Sequence, residues 1–244
     1  MIMRLSRLLL SLALLACPAV AEEAEQNAFV EGNIIGIFYH ELGHAVIDLE
    51  GVPIFGQEED AADTFSIFMI HALFEEETAQ DLAYDVSFGF WAEADLAFEN
   101  EEDVAWWDEH GPDEQRFYNT ICIFYGGDPD ARADLAADLD LPEERAEQCP
   151  FEFDQAEASW GTVLDELVDR GPGETLVFDG DDSLTGQILA QEVEDLNAML
   201  SLSAPLQITV ESCGESNAFY DAETVEIIMC AEFEDHLFKL ADRL

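Results

Sequence analysis

Ile34-Ile35-Gly36-Ile37-Phe38-Tyr39-His40-Glu41-Leu42-Gly43-His44-Ala45-Val46-Ile47-Asp48-Leu49 carries the pattern H-E-x-x-H inside an apolar stretch. Apolar residues at Ile34, Ile37, Phe38, Leu42, Ala45, Val46 and Leu49 recur near helical spacing, which predicts a helix that stops near Gly51 and Pro53. On that helix His40 and His44 lie four residues apart, so their rings point the same way, one turn above the other. Two imidazoles so placed can reach one Zn²⁺, with Glu41 left beside the metal as a base. Histidines of a buried helix can also be polar groups satisfied by their neighbours. The chain has only five histidines, and two of them four apart around a glutamate favour the metal.

Catalytic zinc takes three protein ligands and keeps one position for water. The next helical segment, residues 57–70, begins acidic and turns apolar. Glu59 and Asp63 are spaced i, i+4 and share a face. Glu59 is therefore assigned to the metal, with Asp60 as the alternative. Asp63 is assigned the hydrogen bond from the far nitrogen of a ligand histidine, which would fix its tautomer. Acids also gather at helix starts, where they complement the dipole. That accounts for Glu58, Glu59 and Asp60 but not for Asp63 on an apolar stripe.

H-E-L-G-H followed by G-x-E-E-D-A-A-D at residues 56–63 resembles a bacterial family of zinc metallopeptidases known only as a domain of unknown function. The layout is similar to that of the gluzincins, the thermolysin-like class with an active-site helix and a glutamate helix carrying E-x-x-x-D. Further pieces extend the resemblance over nearly the whole chain: Asp108 to Gly111, Asp113 to Asn119, Cys122, Tyr125-Gly126, Leu141-Pro142, Arg145, Cys149-Pro150, Cys213 to Glu215, Asn217 to Asp221 and Cys230. The linker to Glu59 is shorter than in thermolysin. The resemblance implies zinc-assisted peptide hydrolysis, with His40, His44 and Glu59 holding one Zn²⁺ and Glu41 taking the proton of the attacking water. It also brings His110 to the site as a donor to the developing oxyanion, with Tyr118 or Tyr220 as alternatives. Arg116 is expected to anchor an ion pair rather than clamp substrate.

Residues 1–21 read as an export leader: Arg4 and Arg7 at the charged start, an apolar core from Leu8 to Ala16, and Ala19-Val20-Ala21 before a cut at Glu22. Leu14-Leu15-Ala16-Cys17 offers a second possibility, a lipid anchor at Cys17. Either way the protein is expected to be periplasmic or secreted. The remaining residues, 22–244, suit one domain with a sizeable core. Four cysteines then remain, an even number that suggests two disulfides in an exported chain. Three connectivities are possible, and proximity in sequence favours Cys122–Cys149 and Cys213–Cys230.

The formal net charge of −48, with Lys239 the one lysine, repels nucleic acid and anionic membrane surfaces. It fits a salty medium, where counter-ions screen the repulsion. Disorder does not follow, because 49% of the residues are hydrophobic.

The fold expected is mainly α (α+β), a zincin-like helical domain with a small C-terminal antiparallel hairpin or sheet. Helices are expected between Ala72 and Ala105 with a break at 100–103, over 113–125, from Pro142 and over 155–168. Asp179 to Ser183 looks like the start of a calcium loop, but Leu184 and Ala190 stand where glycine and glutamate are needed, so a plain acidic turn is expected. Strand signals fall late, at 206–210 and 224–229, with an edge strand at 175–178. Only residues 22–39 precede His40 after the leader, so a sheet over the cleft must come from the C-terminal part. Two other functions compete with the peptidase. One is a zinc-stabilised binding module without turnover, which would not need Glu41. The other is a periplasmic metal carrier, which would hold several exchangeable ions.

Overall fold

A computed structural model describes residues 18–243. The charged start and apolar core of the expected leader, and Cys17, lie outside the described residues. Helix α1 (Pro18–Glu50) is the axis of the fold. Phe29, Val30, Ile34, Phe38, Ala45 and Val46 along it are fully buried, because other elements surround it. It ends where Gly51 adopts φ +65°, a conformation open to glycine at little steric cost. Gly51 N–H then bonds the Asp48 carbonyl and Val52 N–H the Ile47 carbonyl, at 3.3 and 3.0 Å, the Schellman pattern that satisfies the last carbonyls.

Helices α2 (Glu58–Leu73) and α3 (Glu76–Glu99) pack against α1. The approach of α2 is close: a Cβ built on Gly43 would stand 3.1 Å from the Ala62 Cα. After a break at 100–112 the chain forms α4 (Asp113–Gly127), which packs on α3, and then α5 (Ala133–Asp138), α6 (Glu143–Ala146) and α7 (Cys149–Ala156). A π-helical turn (Glu157–Gly161) leads into α8 (Thr162–Asp169). A disulfide between Cys122 and Cys149 joins α4 to α7.

The last third of the chain builds a four-stranded sheet from β1 (Leu176–Asp179), β2 (Leu206–Glu211), β3 (Ala218–Asp221) and β4 (Glu226–Cys230). Its order is β1-β2-β4-β3. Helix α9 (Leu184–Met199) connects β1 to its parallel neighbour β2, and α10 (Ala231–Ala241) follows β4. The mainly helical α+β class is as expected, and so is a sheet made from the C-terminal part. The pairing needs a correction. The β-rich segments at 206–210 and 224–229 do not form a hairpin with each other; they lie parallel, with Ile208 opposite Ile227. The antiparallel hairpin is β3–β4, with Phe219 opposite Ile228. Burial explains the choice: β2 and β4 are the inner strands, and Ile208, Ile227 and Met229 have no solvent exposure. The second disulfide, Cys213–Cys230, ties the β2–β3 connection to the end of β4.

Asp179 to Ser183 forms the turn before α9, and the Ser183 hydroxyl caps that helix by accepting from Gly186 N–H at 3.0 Å. No helix among the described residues is long and apolar enough to cross a membrane.

Candidate metal centre

Helix α1 places His40 and His44 one turn apart, and the close packing at Gly43 brings the first turn of α2 against both rings. Glu59 becomes the hub. Its Oε2 lies 3.1 Å from His40 Nε2, 3.2 Å from His44 Nε2 and 3.0 Å from His110 Nε2. The two α1 imidazoles approach each other through Nε2 at 3.2 Å. Asp60, the alternative to Glu59, makes no hydrogen bond to these rings among the described residues.

The outer nitrogens are held by carboxylates. His40 Nδ1–H donates to Asp63 Oδ1 at 2.7 Å, and His44 Nδ1–H donates to Glu58 Oε1 at 2.9 Å. Asp63 also accepts two hydrogen bonds from Arg116, each at 2.8 Å, and the guanidinium lies 4.2 Å from the Phe90 ring centre. Arg116 is thus the anchor of an ion pair. With Nδ1 protonated, a neutral imidazole turns the lone pair of Nε2 inward. In that tautomer lone pairs of His40 and His44 and an oxygen of Glu59 would face one another, an arrangement that repels unless a cation, a proton or a metal ion, lies between them.

The donor chemistry fits zinc. Ligands about 2.0–2.1 Å from a shared ion in a tetrahedron stand about 3.3 Å apart, and the four separations just given are 3.0 to 3.2 Å. Burial opposes charge on His40, but its bonds to Asp63 and Glu59 outweigh that and lift the imidazole to about 9. His44 is raised in the same way, with burial outweighed by Glu59 and Glu58. Burial likewise opposes the charged form of Glu59, yet the bonds from His110, His40 and His44 hold its carboxyl far below the usual range.

Glu41 is 7% exposed and has no hydrogen-bond partner among the described residues. It lines a cleft of about 980 Å³ together with His40, His44, Glu59 and His110. Burial raises its pKa, against the opposing pull of His40 and His44. The facing wall of the cleft is the start of β3, from Asn217 to Tyr220. Tyr220 donates its hydroxyl to Asp48 Oδ2 at 2.7 Å, tying this wall to α1. Tyr118 does not line the cleft; its ring packs on Phe117 at 4.9 Å. Glu58 as the partner of His44 is not legible in the sequence, since an acid at a helix start has an ordinary explanation in the dipole.

A family model, DUF4344, with the description "Putative metallopeptidase", matches residues 13–164 and 183–242. Neither a curated protein nor a solved structure matches the chain.

Proposed function

The chain belongs to the DUF4344 metallopeptidase family, and on that premise we propose that it is an exported, zinc-dependent peptidase acting at the cluster of His40, His44 and Glu59. The observation that carries this reading is the convergence of two Nε2 atoms and one carboxylate oxygen within 3.2 Å, beside the unpaired carboxylate of Glu41. A divalent ion held there would polarise the scissile carbonyl and make a nearby water acidic enough to attack at neutral pH.

The chain's own groups supply the rest. Glu41 takes the proton of the attacking water and later delivers it to the leaving nitrogen. Its burial favours the first half of that task, because a carboxyl that holds its proton more firmly is the stronger base. Asp63 and Glu58 keep His40 and His44 in the tautomer that turns Nε2 inward, and Arg116 fixes Asp63. Strand β3 is at the sheet edge, so one row of its backbone groups is free to pair with an extended peptide in the cleft. Two disulfides and the leader-like residues 1–21 support an oxidising, extracytoplasmic address.

A zinc-stabilised binding module is the second reading. It draws on His110, the third imidazole against the same Glu59 oxygen, which would be a fourth donor to an ion held there. An acid buried without a partner favours the enzyme, since a purely structural site has no use for one.

The test is to measure the zinc content of the purified protein and its cleavage of a quenched peptide library before and after chelation. Glu41→Gln should keep the zinc and lose activity by about 10²-fold or more. Hydrolysis that survives chelation, or an active Glu41→Gln protein, would sink the proposal.

A further inference from the structure

Three donors at the centre come from α1 and α2, two helices locked against each other, whereas His110 comes from the loop 100–112. We propose that His110 is a fourth protein ligand in the resting protein and that a substrate must displace it to enter, so that the loop guards the site. This rests on the reading of the cluster as a metal centre.

Toward Glu59, His110 is placed as the two helical histidines are. Its Nε2 is 3.0 Å from Glu59 Oε2, the same separation the other two rings keep within 0.2 Å. Ligand atoms of His40, Glu59 and His110 all lie within 4.8 Å of one another. Its ring lies nearly parallel to that of His40, at 23°. Its Nδ1 faces a carboxylate, Asp108 Oδ1, as those of His40 and His44 do, though at 3.6 Å rather than 2.7 and 2.9 Å.

What differs is how firmly the ring is held. The His110 side chain is 48% exposed, against 5% and 11% for His40 and His44. Outside the loop, its segment is tied down by Gln57, which donates to the Glu109 carbonyl at 3.2 Å. The loop opens with Glu101 at φ +57°, a left-handed conformation that costs a glutamate about 1 kcal/mol. It also leaves Trp106 and Trp107 80% and 85% exposed. Four protein donors make a closed site, and catalytic sites keep one position open. An unpaired Glu41 on the same cleft has a substrate to serve only if one donor yields. His110 is the donor that can leave without moving a helix.

The experiment uses metal-free protein reloaded with zinc or cobalt. His110→Ala should bind zinc at least about 10-fold more weakly in competition with a chelator, and its cobalt form should show an altered visible spectrum. His110→Cys should restore tight binding and add a sulfur-to-cobalt charge-transfer band, as expected of a thiolate ligand. At saturating metal, a peptide hydroxamate should bind His110→Ala several-fold more tightly than the wild type, because no ligand has to be displaced. Zinc affinity or cobalt spectrum unchanged in His110→Ala overturns the ligand assignment, and equal hydroxamate affinity overturns the guard. If the wild type itself takes up no metal, the metallopeptidase reading falls with it; if it binds metal and hydrolyses peptides while His110→Ala matches it in both assays, only this inference falls.

Discussion

Single residues of the centre were legible wherever helical spacing fixed them. His40 and His44 share a face because they are four apart, and Glu59 with Asp63 repeats that spacing on the next helix. Asp63 bonds His40, and Arg116 in turn bonds Asp63. The position of His110 relative to Glu59 depends on how α3 and α4 bring the loop back, which local periodicity does not encode. Asp85 is another residue whose state depends on tertiary packing. Burial, together with the nearby acids Asp81, Glu25 and Glu31, raises it to about 7. In the unfolded chain it ionises near the ordinary carboxylate value, so the folded state binds the extra proton between about pH 4 and 7, and stability is lost as pH rises through that window. Asp85→Asn should therefore stabilise the protein at pH 8 by about 2 kcal/mol, roughly half the full linkage value because the side chain is partly exposed. Near pH 4 it should bring almost no gain. Urea unfolding at the two pH values checks this, and an equal change at both would contradict it.

At the scale of elements, the helices with a strong apolar stripe or a clear stop signal were readable: α1 ends at Gly51, α3 at Asn100 and α4 at Gly127. Helices α9 and α10 are less legible, because their buried faces exist only against the sheet and α1. The pairing of β2 with β4 is hidden in the sequence for a related reason. Hairpin logic joins neighbours in sequence, whereas burial of the face carrying Leu206, Ile208, Ile227 and Met229 selects the inner parallel pair. Packing of α1 on α2 makes its own prediction. Gly43→Val would push methyl groups against the Ala62 backbone and the Phe65 ring, where even a Cβ has only 3.1 Å. The overpacking should lower stability by about 1–3 kcal/mol and weaken zinc binding, since α2 carries Glu59. As a control, Gly51→Ala meets no atom within 4 Å but must hold φ +65°. It should lose about 1 kcal/mol of stability and no metal affinity. Thermal melts with chelator competition separate the two, and unchanged zinc affinity in Gly43→Val would refute the coupling.

For the whole molecule the dominant quantity is charge. Each of the five arginines among the described residues is already paired with a carboxylate, yet the formal net charge is −48. With 56 acidic residues against eight lysines and arginines, most acids have no cation to pair with, and the compact state suffers their mutual repulsion. Salt at about 1 M shortens the screening length to about 3 Å. Raising sodium chloride from about 0.05 to 1 M should lift Tm by about 4–8 °C, the equivalent of about 2 kcal/mol for a chain of this size. A Tm that stays flat or falls would show that the acidic surface is not a source of strain.

The tie between Tyr220 and Asp48 spans 172 residues of sequence, so the groove exists only once two remote stretches of the chain have docked. On the reading given above, a half-folded chain has no finished trough in which to seat its own unfolded segments. Self-digestion would thereby be postponed until there is little left unfolded to cut.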